Sequence, residues 1–256
     1  MSREIKYQYR ITKYNPDFRN DEGHYTITDE WTSAYDIGKM VNGNSLTLSE
    51  YLDVEKAYIN TIMNFIQLNN IKSVRLVDLE KDNLNSTDKT SPLYDPAFHL
   101  LHLEEDIELS IDNVPIVSKM VLRELIYCQL ISKDFFVHFG YDYYMYIGSN
   151  NVQSGSLDFT INNSLFVEEM ISPYYIPESN VTRGIEWIRI DEEIIEGSEL
   201  LKGITLEEYR GVLQLSNIHP VIGSFPIKQE YVNFFQKKIK HKIDFSKYNY
   251  SLVSND

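Results

Sequence analysis

Four groupings of side chains in this 256-residue sequence have types and spacing that could do chemistry. His138 and Asp142 lie four apart in VHFGYDYYMYIG, Val137 to Gly148, and would form a general acid–base pair if a turn folded one onto the other. No nucleophile is placed beside them, and a histidine in an aromatic strand equally suits a structural hydrogen bond. His99 and His102, in HLLHLEED, would share one helix face, with a following carboxylate to complete a metal site. Two histidines without a third ligand at fixed spacing are a weak signature, so no metal and no cofactor is expected. Cys128 is the single cysteine. On the apolar side of an expected helix it behaves as a small hydrophobe, its thiolate disfavoured by burial. The fourth grouping makes no bond: Glu104, Glu105, Asp106 and Glu108 would steer a partner, and Tyr141, Tyr143, Tyr144 and Tyr146 would anchor it.

Signatures of established chemistry are missing. There is no Gly-x-Ser-x-Gly elbow, P-loop, dinucleotide fingerprint or kinase motif. The adjacent carboxylates Glu168–Glu169 and Glu192–Glu193 diverge on any regular element. A hydrolase site assembled from dispersed His, Asp and Glu residues stays open as an alternative.

The elements that must position these residues follow from periodicity. Lys6 to Tyr14 alternates as a strand, and Asn15 to Gly23 is dense in turn formers. Thr28 to Lys39 fits a short helix ending at Gly38. Thr47 and Glu50 have capping-box spacing, and Tyr51, Val54, Tyr58, Ile62 and Phe65 continue as one helical stripe. Ile71 to Leu79 reads as a strand. Lys81 to Pro96 lacks periodicity, so a linker is expected over 82–97, between an N-terminal lobe of 1–81 and a C-terminal lobe of 98–256. Asp112 to Ser132 reads as a second long helix carrying Val117, Val121, Leu125 and Cys128 on one side.

Asp134 to Ile147 reads as a hairpin turning at Gly140–Asp142. Phe135, Val137 and Phe139 would line one face and Phe136 and His138 the other, and on the return Tyr143, Met145 and Ile147 separate from Tyr144 and Tyr146. One face belongs to the core and the other is aromatic, where phenol tips suit half-burial. Ser156 to Ile161 and Gly184 to Ile190 alternate as strands, Thr205 and Glu208 repeat the capping box, and Pro226 to Lys242 reads as a final amphipathic helix. The irregular order of strands and helices predicts an α+β fold: mainly antiparallel sheet with several amphipathic helices packed against it.

Composition narrows the function further. The chain is long enough to bury about 70–75% of its unfolded surface without metals or disulfides. One cysteine, a charged N-terminus and no apolar run near the ~18–20 residues that span a bilayer fit a cytoplasmic protein that avoids membranes. The net charge of −14 repels phosphate backbones, which makes nucleic acid a poor default partner, and none is expected. Between Asp78 and Asp112 ten carboxylates face two lysines, whereas Lys237 to Lys242 is basic. Either the basic run lies near an acidic face of the same chain, or the acidic surface serves a basic partner.

Two stretches carry a resemblance, Arg10 to Lys39 (RITKYNPDFRNDEGHYTITDEWTSAYDIGK) and Phe136 to Gly148 (FVHFGYDYYMYIG). Both resemble segments of uncharacterised bacterial proteins, some of which look like the immunity partners of polymorphic toxins. The resemblance contains no chemical motif and carries over no functional residue. It implies a bacterial cytosolic binding protein; with the acidic and tyrosine clusters, the expectation is a non-enzymatic protein-binding protein, an immunity-type inhibitor that occludes a basic toxin domain. A third reading has the aromatic hairpin face closing a homodimer.

Overall fold

The computed structural model describes residues 4–81, 88–151, 154–191 and 194–255, and the chain divides into two compact units, 1–174 and 175–256. Both are α+β. Among the described residues, no helix is long and apolar enough to cross a membrane.

In the first unit, β1 (Tyr7–Thr12) is followed by the small ribbon β2 (Met40–Val41) and β3 (Asn44–Ser45). Helix α1 (Leu48–Leu68) starts at the expected capping box: Thr47 accepts the Glu50 N–H, and Glu50 accepts the Thr47 N–H. Its stripe of Tyr51, Tyr58, Ile62 and Phe65 is buried. Next come β4 (Ser73–Glu80), β5 (Glu108–Ser110), α2 (Val114–Leu122), β6 (Tyr127–Ser132), β7 (Phe135–Phe139), β8 (Met145–Ser149), α3 (Ser154–Asn162) and β9 (Phe166–Glu169). Among the described residues, seven strands form an antiparallel sheet in the order β5-β4-β6-β7-β8-β1-β9.

β4 pairs with β5 and β6, so the sheet is built from both sides of 82–97. The expected lobe boundary there is therefore corrected to 174/175. A polar, aperiodic stretch is what a loop between strands of one sheet also looks like. Within it, 82–87 lie outside the described residues, whereas Asp95 caps a turn of 3₁₀ helix, Pro96–His99.

Two expectations for regular elements are also corrected. The helix expected to run to Ser132 stops at Leu122, and Cys128 sits in β6. Glu124 takes a left-handed conformation with φ 58°. Its N–H donates to Val121 O, and the Leu125 N–H donates to Met120 O, the bond pattern of a Schellman stop built without glycine. Ser156 to Ile161, expected as a strand, lies in α3. There Thr160 back-bonds to Ser156 O, and left-handed Ser164 closes the helix in the same way. In the first place an expected helix gives way to a strand, and in the second an expected strand to a helix.

The second unit comprises β10 (Thr182–Arg189), β11 (Ile195–Leu200), α4 (Leu206–Leu213), β12 (Ser224–Pro226), α5 (Val232–Phe235) and β13 (Tyr248–Asn255). Its antiparallel sheet runs β11-β10-β13-β12, over a core that includes Trp187, Tyr209, Phe235 and Leu252. The capping box at Thr205 is present. The long final helix is not: it reduces to α5, and the basic run beyond it forms turns. There Glu199 accepts the N–H groups of Lys240 and His241, and Gln236 accepts the Ile243 N–H.

Candidate functional site

The expected hairpin forms as β7–β8, with Val137 opposite Ile147 and His138 opposite Tyr146, and its turn extends past Asp142 to Tyr144. Phe135, Val137, Phe139, Met145 and Ile147 enter the core. The opposite face is buried as well, by contrast with the half-open aromatic face expected: Phe136, His138 and Tyr146 are all under 9% exposed. His138 stacks on Phe136 at 3.9 Å, and Tyr174 packs edge-on against both His138 and Tyr146.

His138 is thereby removed from acid–base work. Its Nδ1 lies 2.8 Å from the buried Ser172 hydroxyl, which takes the place expected of Asp142. Burial pushes its pKa down to about 3, so it is neutral. Cys128 is fully buried and burial pushes its thiol far up, so it supplies no thiolate. His99 ends a 3₁₀ turn and His102 lies beyond it, 3.0 Å from Glu104. Among the described residues, no group of three His, Cys, Asp or Glu side chains is placed to hold a metal.

The acidic run is spent largely on its own strand pair. Glu105 accepts the backbone N–H groups of Asp78 and Leu79, where β4 bulges. Asp106 accepts from Arg75, and Glu108 accepts from Ser73 and lies within reach of Arg75. Glu104 stands out in solvent beside His102. These four carboxylates are not brought to the tyrosines of the hairpin turn.

What the turn does build is a cavity of about 460 Å³, within the range of small-ligand and side-chain pockets. Gly140 to Tyr144 forms one wall, the end of α2 with the residues leading into β6 forms another, and Thr32, Ser33, Tyr58 and Glu80 complete it. Asp142 and Tyr143 are consecutive left-handed residues, a costly conformation for non-glycine side chains. The costs are offset by phenols: Tyr14 donates to Asp142 O at 2.6 Å, and Tyr58 donates to Tyr143 O at 2.6 Å. Tyr143 in turn donates to Leu122 O at 3.0 Å, while its ring packs edge-on against Trp31, Tyr51 and Tyr58. Burial raises the phenol pKa values of Tyr14, Tyr51, Tyr58 and Tyr143, which keeps these donors protonated.

The lining has a single sign of charge. Among the described residues, its lining includes the acidic residues Glu80, Glu124 and Asp142 and five tyrosines (58, 127, 141, 143 and 144), with no Lys, Arg or His. Of the four tyrosines named from the sequence, Tyr141, Tyr143 and Tyr144 line this space and Tyr146 does not. Only Tyr141, 79% exposed, is an open ring. Glu80 and Glu124 were missed as site residues, since they come from segments far apart in sequence and Glu124 lay inside an expected helix. Beneath the α2 end, Arg123 forms a buried two-point pair with Glu55 at 2.6 Å and 2.6 Å, which fixes α2 to α1.

Residues 182–253 match a family described as a domain of unknown function, DUF7683. The matched segment begins with β10 and ends in β13, so it covers the sheet and helices of the second unit. No curated protein and no solved structure matches the chain.

Proposed function

We propose that this protein is a non-enzymatic protein-binding protein whose first unit receives a cationic side chain of its partner in the tyrosine-lined cavity. The observation that carries the reading is the cavity's composition among the described residues: three acidic residues, five tyrosines and no base. A guanidinium or ammonium group fits it twice over, by charge and by attraction to ring faces, which strengthens as water is excluded. The surrounding unit helps the approach. Residues 1–174 hold 26 Asp and Glu against 14 Lys and Arg, a field that speeds encounter with a basic surface. Exposed Tyr141 at the mouth supplies an anchor of the kind that dominates interfaces. A basic toxin domain occluded by an immunity-type inhibitor is the partner class that suits this arrangement.

The test uses the full chain and a labelled peptide of alternating Arg and Gly, with a Glu–Gly peptide as control. Replacing Glu80→Gln, Glu124→Gln and Asp142→Asn together is expected to weaken binding of the Arg peptide by about tenfold or more. Removing the same charge from exposed Asp17, Asp21 and Glu22 is expected to leave it within about twofold. Equal losses in the two triple variants would reduce the effect to net charge and sink the reading.

A further inference from the structure

The second unit carries a different surface. β11 is the terminal strand of its sheet, six residues long, with neither Pro nor Lys to blunt it. The opposite edge, β12, is three residues ending in Pro226, and the edges of the first unit's sheet, β5 and β9, have three and four residues. Exposed aliphatic side chains gather at β11 and at residues preceding it: Ile190, Ile194, Ile195 and Leu200, with Ile195 53% and Leu200 58% exposed.

Strand geometry decides how this edge is presented. The register places Gly184 opposite Leu200, Glu186 opposite Ser198 and, after a bulge at Glu196, Ile188 opposite Ile195. The extra residue restores parity, so Ile195, Ser198 and Leu200 share one face. The Leu201 N–H donates to Arg183 O. Alternation of an antiparallel ladder then turns the backbone groups of Ser198 and Leu200 away from β10, available to a further strand.

We infer that the further strand is β11 of a second copy of this chain, antiparallel about a twofold axis at Ser198. Two features of the edge make it complementary to itself. Small residues, Gly197 and Ser198, occupy the centre, and an aliphatic side chain lies to either side. The twofold sets Leu200 of one copy beside Ile195 of the other, twice. Charge runs along the strand in the same sense: exposed Asp191 precedes its first end, and Lys202 and Lys240 lie at its second. Antiparallel pairing brings acidic end to basic end at both extremities. The two inner carboxylates are already engaged, Glu196 by Arg189 and Tyr248 and Glu199 by the Lys240 and His241 amides. The balance in 175–256 is also nearly even, 12 acids against 10 bases, so this unit does not repel its copy as residues 1–174 would.

Sedimentation of the full chain over a wide concentration range tests the pairing. The expected result is a monomer–dimer equilibrium that Leu200→Lys weakens by about tenfold or more. A second variant reports position. Paired residues at the axis have Cα atoms about 5.5 Å apart, suitable for a disulfide, so Ser198→Cys is expected to cross-link on air oxidation. Ser224→Cys, on the other edge, is expected not to cross-link, and buried Cys128 does not compete. A wild-type chain that stays monomeric throughout overturns the inference and leaves the edge to another chain. A dimer indifferent to Leu200→Lys, with no Ser198→Cys cross-link, overturns it equally.

Discussion

The two units solve the same packing problems with the same devices, yet present opposite surfaces. Each sheet sets a glycine under an aromatic ring of the neighbouring strand: Gly148 opposite Phe136 in the first unit, Gly197 opposite Trp187 in the second. Each of those rings also stacks on a histidine, His138 at 3.9 Å and His241 at 4.0 Å. Each unit ties separate segments with a buried Arg–Glu pair, Arg123–Glu55 and Arg210–Glu178. The difference lies in what is left open. The first unit covers both faces of its central hairpin, has short edge strands and keeps an acidic cavity. The second has little net charge and leaves a long aliphatic edge. On the two proposals above, ligand binding would fall to the first unit and strand pairing to the second. The two tryptophans, Trp31 and Trp187, are both buried and fall one in each unit, so fluorescence of Trp31→Phe and Trp187→Phe backgrounds can follow each unit's unfolding separately.

The largest expected effect is loss of a buried pair. Glu55→Ala leaves the Arg123 guanidinium buried without its carboxylate and should cost about 3–5 kcal/mol, read as a fall in urea midpoint by Trp31 fluorescence. Glu178→Ala should do the same to the second unit, by Trp187, since Glu178 also accepts the Val221 N–H. Arg210 is more exposed than Arg123, so water recovers part of its charge and the cost is expected to be smaller. Each variant moving only its own reporter would establish that the two units carry their stability independently.

A pH effect comes next, and it belongs to the first unit. His138 has a folded-state pKa of about 3 against the ordinary 6.5, because burial among Phe136, Ser172 and Tyr174 disfavours its charged form. Between those values the unfolded chain holds a proton that the folded chain lacks, so stability is complete above about 6.5 and falls as pH drops towards 3. The contribution is on the order of 4 kcal/mol across the window. His138→Gln should flatten the Trp31-detected stability profile there relative to wild type. An unchanged slope would mean that the histidine is not held neutral.

How much of this was legible in sequence depended on whether the signal was local. The capping boxes at Thr47 and Thr205 were readable because both partners lie three residues apart and satisfy each other. The hairpin faces were readable from alternation, but the cover over Phe136 and His138 was not, since Ser172 and Tyr174 arrive from more than thirty residues away. The stops at Glu124 and Ser164 were hidden because left-handed closure usually advertises itself with Gly or Asn. β13, the inner strand beside β10, went unread behind the expected final helix, although Tyr248, Tyr250 and Leu252 alternate there. The site follows the same rule. Three tyrosines were found because one turn carries them. The run of acids at 104–108 is used by folding across the β4–β5 pair, by partners at 73–79 that no local pattern joins to it. The acidic residues that line the cavity come from three separated segments.

The two glycines give the smallest effect and the sharpest comparison. A Cβ at Gly148 would lie 2.2 Å from Phe136 Cε1 and 2.8 Å from Ile5 Cγ2, with strands on both sides of β8. Nothing there can retreat, and Gly148→Ala should cost about 1–3 kcal/mol by Trp31 fluorescence. At Gly197 the Cβ would lie 2.4 Å from Trp187 Cζ2, an overlap of similar size. β11, however, has one neighbour and can draw back from Trp187, so Gly197→Ala in a dilute, monomeric sample should cost less than Gly148→Ala. Pairing with a second β11 removes that freedom. Its cost should therefore rise with protein concentration, whereas that of Gly148→Ala should not. A Gly197→Ala penalty that matches Gly148→Ala at every dilution would show β11 held as firmly as an inner strand, and the contrast between the two sheets would be lost.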